Sequence, residues 1–204
     1  MTHEEWLAAR RLGVSGTDVS VLLGVNPYKK EDDLILDKLG VGKPFVGNAA
    51  TRVGLKLEKF VADAWADREK KILIGGSFLV SKENPRFIGT PDFLFDGGIL
   101  EIKTGAETSY KNGMPPLYEA QVRWYQLLTD SDIGHLVACI VPKDRSQVPM
   151  HETDENLLDY VKSRPHREYY ISRDLDWEDR ARAQALRFLA RIDALREPRK
   201  EWLA

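Results

Sequence analysis

Two acidic residues and a lysine in the middle of the chain combine the side-chain types that metal-assisted hydrolysis uses. Asp92 follows Pro91, and Glu101 and Lys103 come after a run of apolar residues interrupted by Asp96-Gly97. An Asp-Gly pair between alternating apolar runs is a strong hairpin signal. The sequence therefore predicts Asp92 and Glu101 on adjacent strands. Because side chains alternate along a strand, Lys103 is expected on the same face as Glu101.

The chemistry that suits this arrangement is hydrolysis of a phosphodiester. Two neighbouring carboxylates cost desolvation energy unless a cation compensates them, and carboxylates are preferred ligands of Mg²⁺ and Mn²⁺. Such an ion polarises a phosphoryl oxygen and helps to generate hydroxide. Lys103 would position or deprotonate the attacking water and stabilise the developing charge. The backbone carbonyl of Ile102 is a natural further metal ligand. Alone, Glu-x-Lys is more typical of a surface salt bridge on a hairpin.

Helices and strands around this motif follow from periodicity, capping residues and glycine stops. Leu100 and Ile102 should point away from Glu101, into a core. Residues 41–47 should form a loop. Helices are predicted over 2–12, 17–24, 31–39, 48–70, 117–129 and from Asp174 onward, the last with a buried face made of Trp177, Ala181, Ala185, Phe188, Ile192 and Leu195. Strands are predicted around 72–74, 78–81, 86–88, 91–95, 99–104, 133–141, 148–152 and 168–172. This order indicates an α/β or α+β fold with a mixed sheet flanked by helices.

Composition excludes several other classes of protein. The 204 residues carry 30 Lys plus Arg and 32 Asp plus Glu, a net charge of −2, so any nucleic-acid contact must come from a local basic patch. The single cysteine, Cys139, lies in an apolar run and is expected to be buried, which fits a reduced, cytoplasmic setting. We expect no secretory signal and no membrane span. The four histidines lack metal-ligand spacing, and no P-loop motif is present.

Four stretches in order resemble one nuclease family. Pro91-Asp92 with Glu101-Ile-Lys103 resembles the PD-(D/E)XK nuclease superfamily. Residues 10–28, with RRLGVSGTD followed by LLGVNPY, residues 54–58 (GLKLE) and residues 118–125 (YEAQVRWY) resemble motifs of its YqaJ-like viral recombinase, or lambda-exonuclease-type, members. Each motif is weak alone, but their order and spacing across most of the chain make the set specific. The resemblance implies a restriction-endonuclease-like α/β core.

The resemblance also implies roles for individual residues. Asp92 and Glu101 would bind one or two Mg²⁺ or Mn²⁺ ions, Lys103 would be the catalytic lysine, and Glu58 would approach the metals directly or through water. Gly54 would let the Glu58 helix approach the sheet closely. Gln121, supported by Tyr125, would lie next to the catalytic lysine.

A second group of residues would bind the terminal phosphate of DNA. The resemblance implies one arginine, Arg10 or in the alternative register Arg11, together with hydroxyl groups. Thr17, with Ser15 as an alternative, and Thr90 would supply these hydroxyls. A guanidinium, hydroxyls and helix N-terminal amides together suit an anion. Phe93 departs from the glycine that relatives often have after the aspartate, so the local strand geometry could differ.

One nuclease domain is expected over residues 1–204, with an N-terminal helical DNA-end-binding part (1–47), a catalytic core (48–172) and a C-terminal helix (173–204). The resemblance implies 5′→3′ exonuclease activity on linear duplex DNA that produces 3′ single-stranded tails for recombination. It also implies a ring-shaped trimer and a single-strand annealing protein as partner. The alternatives are an endonuclease or single-strand nuclease on the same fold, and a non-catalytic DNA-end-binding accessory protein.

Overall fold

The computed structural model describes residues 2–42 and 46–197, and it places a mixed five-stranded sheet between two groups of helices. Seven α-helices occur in the described residues: α1 (His3–Leu12), α2 (Gly16–Leu22), α3 (Glu31–Leu39), α4 (Ala49–Glu69), α5 (Pro116–Thr129), α6 (Asp154–Ser163) and α7 (Leu175–Arg196). Seven strands occur there as well: β1 (Ile74–Gly75), β2 (Leu79–Val80), β3 (Ile88–Gly89), β4 (Phe93–Phe95), β5 (Gly98–Gly105), β6 (Ile133–Ile140) and β7 (His166–Ser172). The expected loop over 41–47 lies partly outside the described residues.

The main sheet has the strand order β1-β4-β5-β6-β7. Strands β5 and β6 pair in parallel, and the other neighbours pair antiparallel. The chain reaches β6 from β5 through helix α5, as a parallel crossover requires. Strands β2 and β3 form a separate antiparallel pair. The expected mixed sheet flanked by helices is confirmed.

Three apolar cores occur in the described residues, and the two largest cover the two faces of this sheet. Val19, Trp124 and Phe188 represent the first core, which joins α2, α3, α5 and α7 and takes Ile99 from β5. The second core joins α4 and α6 to the opposite face and takes Leu100 and Ile102. The expected alternation of side chains along β5 is therefore observed. Glu101 and Lys103 lie on this strand, between the two helical layers.

The β4–β5 hairpin has the tight turn that its sequence predicts. Phe95 pairs with Gly98, so that Asp96 and Gly97 form a two-residue turn. Gly97 has φ of +80°, a left-handed conformation that glycine adopts without steric cost. This turn fixes the register of the strands that carry the acidic residues.

Two local expectations are wrong, and one helix was not predicted. Residues 148–152 form no strand, and the segment instead leads through turns into helix α6, which the sequence analysis missed. Thr153 caps α6 by accepting a hydrogen bond from the Asn156 amide, and Leu157 and Val161 are buried one turn apart, so a helix satisfies this segment better than an extended strand. In addition, Leu195 is 48% exposed rather than part of the buried face of α7. In the described part of the chain, no helix is long and apolar enough to cross a membrane.

Candidate active site

The hairpin and helix α4 bring three carboxylates and one lysine together, as the sequence predicts. Asp92 lies one residue before β4, and its Oδ2 accepts a hydrogen bond from the Ile102 amide of the neighbouring strand at 2.7 Å. This bond ties Asp92 to the strand that carries Glu101 and Lys103. Glu58 on α4 is close enough for its pKa to respond to both Asp92 and Lys103.

Glu101 is the most deeply buried member of this cluster. Its relative exposure is 0%, and one of its oxygens, Oε1, accepts a hydrogen bond from the Lys103 ammonium. The other oxygen, Oε2, is buried with no hydrogen-bond partner among the described residues. A buried carboxylate oxygen without a partner is costly, so this atom is free to coordinate a cation.

The carboxylates repel one another and resist ionisation. Burial, and next the Asp92 charge, raise the pKa of Glu101 to about 8, although Lys103 opposes the shift. The same two causes raise the pKa of Glu58 to about 7. Burial also raises the pKa of Asp92. A nearby positive charge would lower the pKa of these carboxyl groups, because an opposite charge favours the ionised form.

Lys103 is held in its charged form by the same neighbours. Burial alone would lower the pKa of Lys103, but the Glu101 and Asp92 carboxylates raise it above its ordinary value. The Lys103 Nζ atom lies 5.4 Å from the ring centroid of Tyr118. The face of an aromatic ring attracts a cation, so this contact also stabilises the ammonium form. The contact with Tyr118 was not anticipated as part of the site, although Tyr118 belongs to the motif over residues 118–125.

The oxygen donors fit a hard divalent cation. Asp92, Glu101 and the Ile102 carbonyl would hold an ion such as Mg²⁺, which takes oxygen ligands and retains several waters. No group of three or more His, Cys, Asp or Glu side chains forms a ready-made metal cage within residues 2–42 and 46–197.

Helix α5 carries Gln121 and Tyr125 against the same region. Gln121 Nε2 donates a hydrogen bond to the Tyr125 hydroxyl at 2.9 Å. Both the Glu101 and Lys103 charges act on the Tyr125 phenol, whose pKa is raised chiefly by burial. Gln121 and Tyr125 therefore line the side of the cluster that faces α5.

Two glycines let the N-terminal segment approach this helix. A Cβ on Gly16 would lie 3.0 Å from Gln121 Cγ and 3.1 Å from Tyr125 Cε1. A Cβ on Gly89, which immediately precedes Thr90, would lie 2.8 Å from Tyr125 Cε1. Both chain segments thus pack on one tyrosine ring. At Gly54, by contrast, a Cβ would make only an ordinary 3.6 Å contact with the Thr104 hydroxyl, so α4 approaches β5 without requiring glycine.

Backbone pairing also joins the N-terminal segment to β3. The Val14 amide donates to the Arg86 carbonyl at 2.7 Å, and the Ile88 amide donates to the Val14 carbonyl at 2.9 Å. From this parallel bridge, one chain segment continues to Ser15 and Thr17, and the other continues to Thr90. The segments that carry Thr17 and Thr90 are therefore paired side by side, and both threonines are exposed; they are called the hydroxyl edge below.

A buried ion pair organises the base of this segment. Lys38 Nζ donates to Asp18 Oδ2 at 2.7 Å and to the Arg10 carbonyl at 2.6 Å. The Ser15 amide and hydroxyl donate to the same Asp18 oxygen, each at 2.8 Å. The Ser15 hydroxyl is thereby engaged as a donor.

Asp18 belongs to the motif over residues 10–28, but neither Asp18 nor Lys38 was predicted as a site residue. The spacing of Ser15 and Asp18 is a detectable capping pattern, whereas Lys38 gives no local signal, because its partners are 28 and 20 residues away in the chain.

The two arginine candidates lie in different surroundings. Arg10 places its guanidinium carbon 4.8 Å from the Trp6 ring centroid, and its charge acts on both Asp18 and Lys38. Arg11 is exposed, and its carbonyl accepts a hydrogen bond from Arg196 at 2.9 Å. Of the two, Arg10 is the one shown near the start of α2.

A family model and several known proteins match this chain. The model of the YqaJ-like viral recombinase domain matches residues 5–132, well over half of the chain. The protein therefore belongs to the YqaJ-like viral recombinase domain family. The chain is 33% identical over 133 residues to the uncharacterized protein YqaJ of Bacillus subtilis (strain 168), and the match covers 61% of this chain and 42% of that protein.

A further match is 27% identical over 156 residues to an uncharacterized protein of Acanthamoeba polyphaga mimivirus, covering 67% of this chain and 28% of that protein. The matched parts thus span less than half of these relatives.

Solved structures support the fold. The alkaline exonuclease LHK-Exo of Laribacter hongkongensis superposes with a TM-score of 0.69 at 21% identity, covering 94% of this chain and 93% of that one. A phage-related exonuclease of Haemophilus somnus 129PT superposes with a TM-score of 0.67 at 17% identity, covering 90% and 95%. At these identities the likeness establishes the shared PD-(D/E)XK-type fold.

Proposed function

We propose that this protein is a metal-dependent deoxyribonuclease that degrades linear duplex DNA from its 5′ ends. The observation that carries this proposal is the buried Glu101, which shares one oxygen with Lys103, leaves the other without a partner and lies next to Asp92. A surface salt bridge on a hairpin would not bury a carboxylate in this way. Membership of the viral recombinase family and the exonuclease fold support the same activity.

Each residue would have a defined task in cleavage. Asp92, Glu101 and the Ile102 carbonyl would hold one or two Mg²⁺ or Mn²⁺ ions. A bound Mg²⁺ ion would polarise a phosphoryl oxygen and lower the pKa of a water molecule. Because its neighbours favour the ammonium form, Lys103 would stabilise negative charge on the phosphate rather than remove a proton. Glu58 would orient water at the metal.

The end preference would come from the hydroxyl edge beside the cluster. Thr17 and Thr90 would bind a 5′-terminal phosphate with the Arg10 guanidinium. The buried network of Asp18, Lys38 and Ser15 supports this edge from beneath. A phosphate held there would fix the DNA end relative to Lys103, as cleavage from an end requires.

One digestion experiment tests the proposal. A linear duplex labelled at either the 5′ or the 3′ end is incubated beside its covalently closed circle, with Mg²⁺ and with EDTA. Mg²⁺-dependent loss of the linear form alone, with early release of the 5′ label, is expected. Nicking of the circle would indicate an endonuclease, and DNA binding without cleavage would indicate an accessory protein.

Matched variants connect the activity to the site. Asp92→Asn should abolish cleavage, whereas Asp96→Asn, in the exposed turn of the same hairpin, should cleave at the wild-type rate. Arg10→Ala and Thr17→Ala should slow digestion mainly on 5′-phosphorylated ends. Equal losses on phosphorylated and unphosphorylated ends would contradict the phosphate site.

The assembly is a separate proposal. The resemblance to ring-forming relatives predicts a trimer that encloses DNA and cooperates with a single-strand annealing protein. Enclosure would help a chain of net charge −2 to remain on a polyanion. Sedimentation equilibrium should then give three times the mass of one chain, and a monomer mass at assay concentration would exclude the ring.

A further inference from the structure

Tyr28 is a large aromatic side chain that the fold leaves exposed. Its relative exposure is 83%, among the highest of the described large apolar residues. It follows α2 in a short turn that contains Asn26 and Pro27. Aromatic rings presented on a nucleic-acid-binding surface stack on bases, and this stacking tolerates any base.

Hydrogen bonds hold the Tyr28 turn in a fixed position. The Tyr28 amide donates to Asn26 Oδ1 at 2.9 Å, and Asn26 Nδ2 donates to the Ser20 hydroxyl at 2.9 Å. That hydroxyl in turn donates to the Thr17 carbonyl at 2.6 Å. The turn is therefore folded back along α2 toward Thr17, and the ring is presented from an ordered backbone, which lowers the entropy cost of binding.

The position of Tyr28 relates it to both ends of the site. On one side, the hydrogen-bond chain leads to Thr17, the candidate ligand of the terminal phosphate. On the other side, the Tyr28 phenol is close enough to Tyr118 to act on its ionisation, and the Tyr118 ring lies 5.4 Å from Lys103 Nζ. The Tyr28 ring therefore lies on the exposed side of the molecule near Tyr118, the residue that contacts Lys103, and its turn is tied to the helix that carries Thr17.

We propose that Tyr28 stacks on the base of the 5′-terminal nucleotide and thereby positions the DNA end for cleavage. This inference rests on the proposed nuclease function and adds a residue that recognises the terminal base. Tyr28 contacts no reacting atom, so it is a positioning residue. Since stacking would stabilise the ground state and the transition state alike, its loss should act on KM rather than on kcat.

The test is a double-mutant cycle in which the Tyr28 ring and the terminal DNA base are removed separately and together. Kinetics with Mg²⁺ are measured for wild type, Tyr28→Ala and Tyr28→Phe on two 5′-phosphorylated duplexes. One has an ordinary terminal nucleotide and the other an abasic terminal nucleotide. Tyr170→Ala is the matched control, because Tyr170 is also an exposed tyrosine, 61% exposed, on strand β7. Thermal unfolding verifies that each variant is folded.

Stacking predicts a specific pattern. Tyr28→Ala should raise KM about tenfold on the ordinary end and leave kcat unchanged. The abasic end should raise the wild-type KM by a similar factor, and Tyr28→Ala should add nothing further on that end. Tyr28→Phe and Tyr170→Ala should behave as wild type. An equal effect of Tyr28→Ala on both duplexes, or no effect on either, would overturn the inference.

A binding measurement separates this inference from the proposed function. Dissociation constants for the same duplexes are measured by fluorescence anisotropy with Ca²⁺ in place of Mg²⁺. If wild type binds ends without cleaving them in Mg²⁺, the nuclease proposal fails, but the cycle can still be read in the dissociation constants. If wild type cleaves and the cycle shows no coupling in either readout, only the role of Tyr28 fails.

Discussion

Replacing Lys38 with methionine should destabilise the protein far more than loss of an ordinary ion pair. Lys38 and Asp18 lie 2.7 Å apart, with side chains only 5% and 6% exposed. Burial raises the pKa of Asp18, but Lys38, Arg10 and the hydrogen bonds outweigh it and hold the pKa below 3.8. Lys38→Met would therefore leave a buried, ionised carboxylate without its cation. Breaking one side of a buried pair costs about 3–5 kcal/mol.

Urea denaturation measures this cost against a matched lysine. With an m-value of about 2–3 kcal/mol per molar, the unfolding midpoint of Lys38→Met should fall by about 1–2.5 M. Lys59 pairs with Asp63 on α4, but their side chains are 70% and 47% exposed. Lys59→Met should cost only about 0.3–0.5 kcal/mol.

A double variant isolates the unpaired charge as the cause. Asp18→Asn combined with Lys38→Met removes both charges, and the amide oxygen still accepts the bonds from Ser15. The combined cost should fall to about 1–2 kcal/mol, because the uncompensated charge is gone. The reasoning is refuted if Lys38→Met costs no more than Lys59→Met, or if the double variant is less stable than Lys38→Met.

Three further predictions address catalysis, packing and reactivity. Lys103→Ala should abolish cleavage but retain metal-dependent DNA binding in a gel-shift assay; residual cleavage near the wild-type rate would exclude a catalytic role. Gly89→Ala should cost about 1–3 kcal/mol in urea denaturation, since its Cβ would lie 2.8 Å from Tyr125, whereas Gly75→Ala meets nothing within 4 Å and should be neutral. Equal stabilities would contradict this packing. Burial raises the pKa of Cys139 to about 11, so a thiol reagent at pH 8 should label it only after unfolding, and rapid labelling of the folded protein would show the site to be accessible.

The parts of the fold that local sequence determines were predictable. The Asp96-Gly97 turn and the flanking apolar alternation give the hairpin and hence the face shared by Glu101 and Lys103. Helix α6 was missed because no element was predicted between the strands expected over 148–152 and 168–172, although Thr153 carries a helix-capping signal and Leu157 and Val161 are spaced one helical turn apart. Short apolar segments are ambiguous between the two periods, and packing against α4 decides the outcome.

Relations between distant residues were beyond pattern reasoning. The resemblance placed Gln121 and Tyr125 near the site, but no sequence signal indicated that Gly16 and Gly89 both pack on the Tyr125 ring. Lys38 likewise resembles any helix lysine until α3 packs against α1 and α2. Such contacts depend on the tertiary fold and leave no local pattern in the sequence.

The two buried carboxylates Asp18 and Glu101 differ in how far their negative charge is compensated, and this difference distinguishes a structural role from a functional one. Asp18 and Lys38 neutralise each other and engage Ser15, so their burial stabilises the segment beneath the hydroxyl edge. Glu101 is equally buried, yet Lys103 occupies only one of its oxygens, and Asp92 adds a repelling charge. The same fold therefore compensates the Asp18 carboxylate fully but leaves the Glu101 carboxylate compensated only in part. The remaining deficit of positive charge at Glu101 is what the proposed metal ion would neutralise.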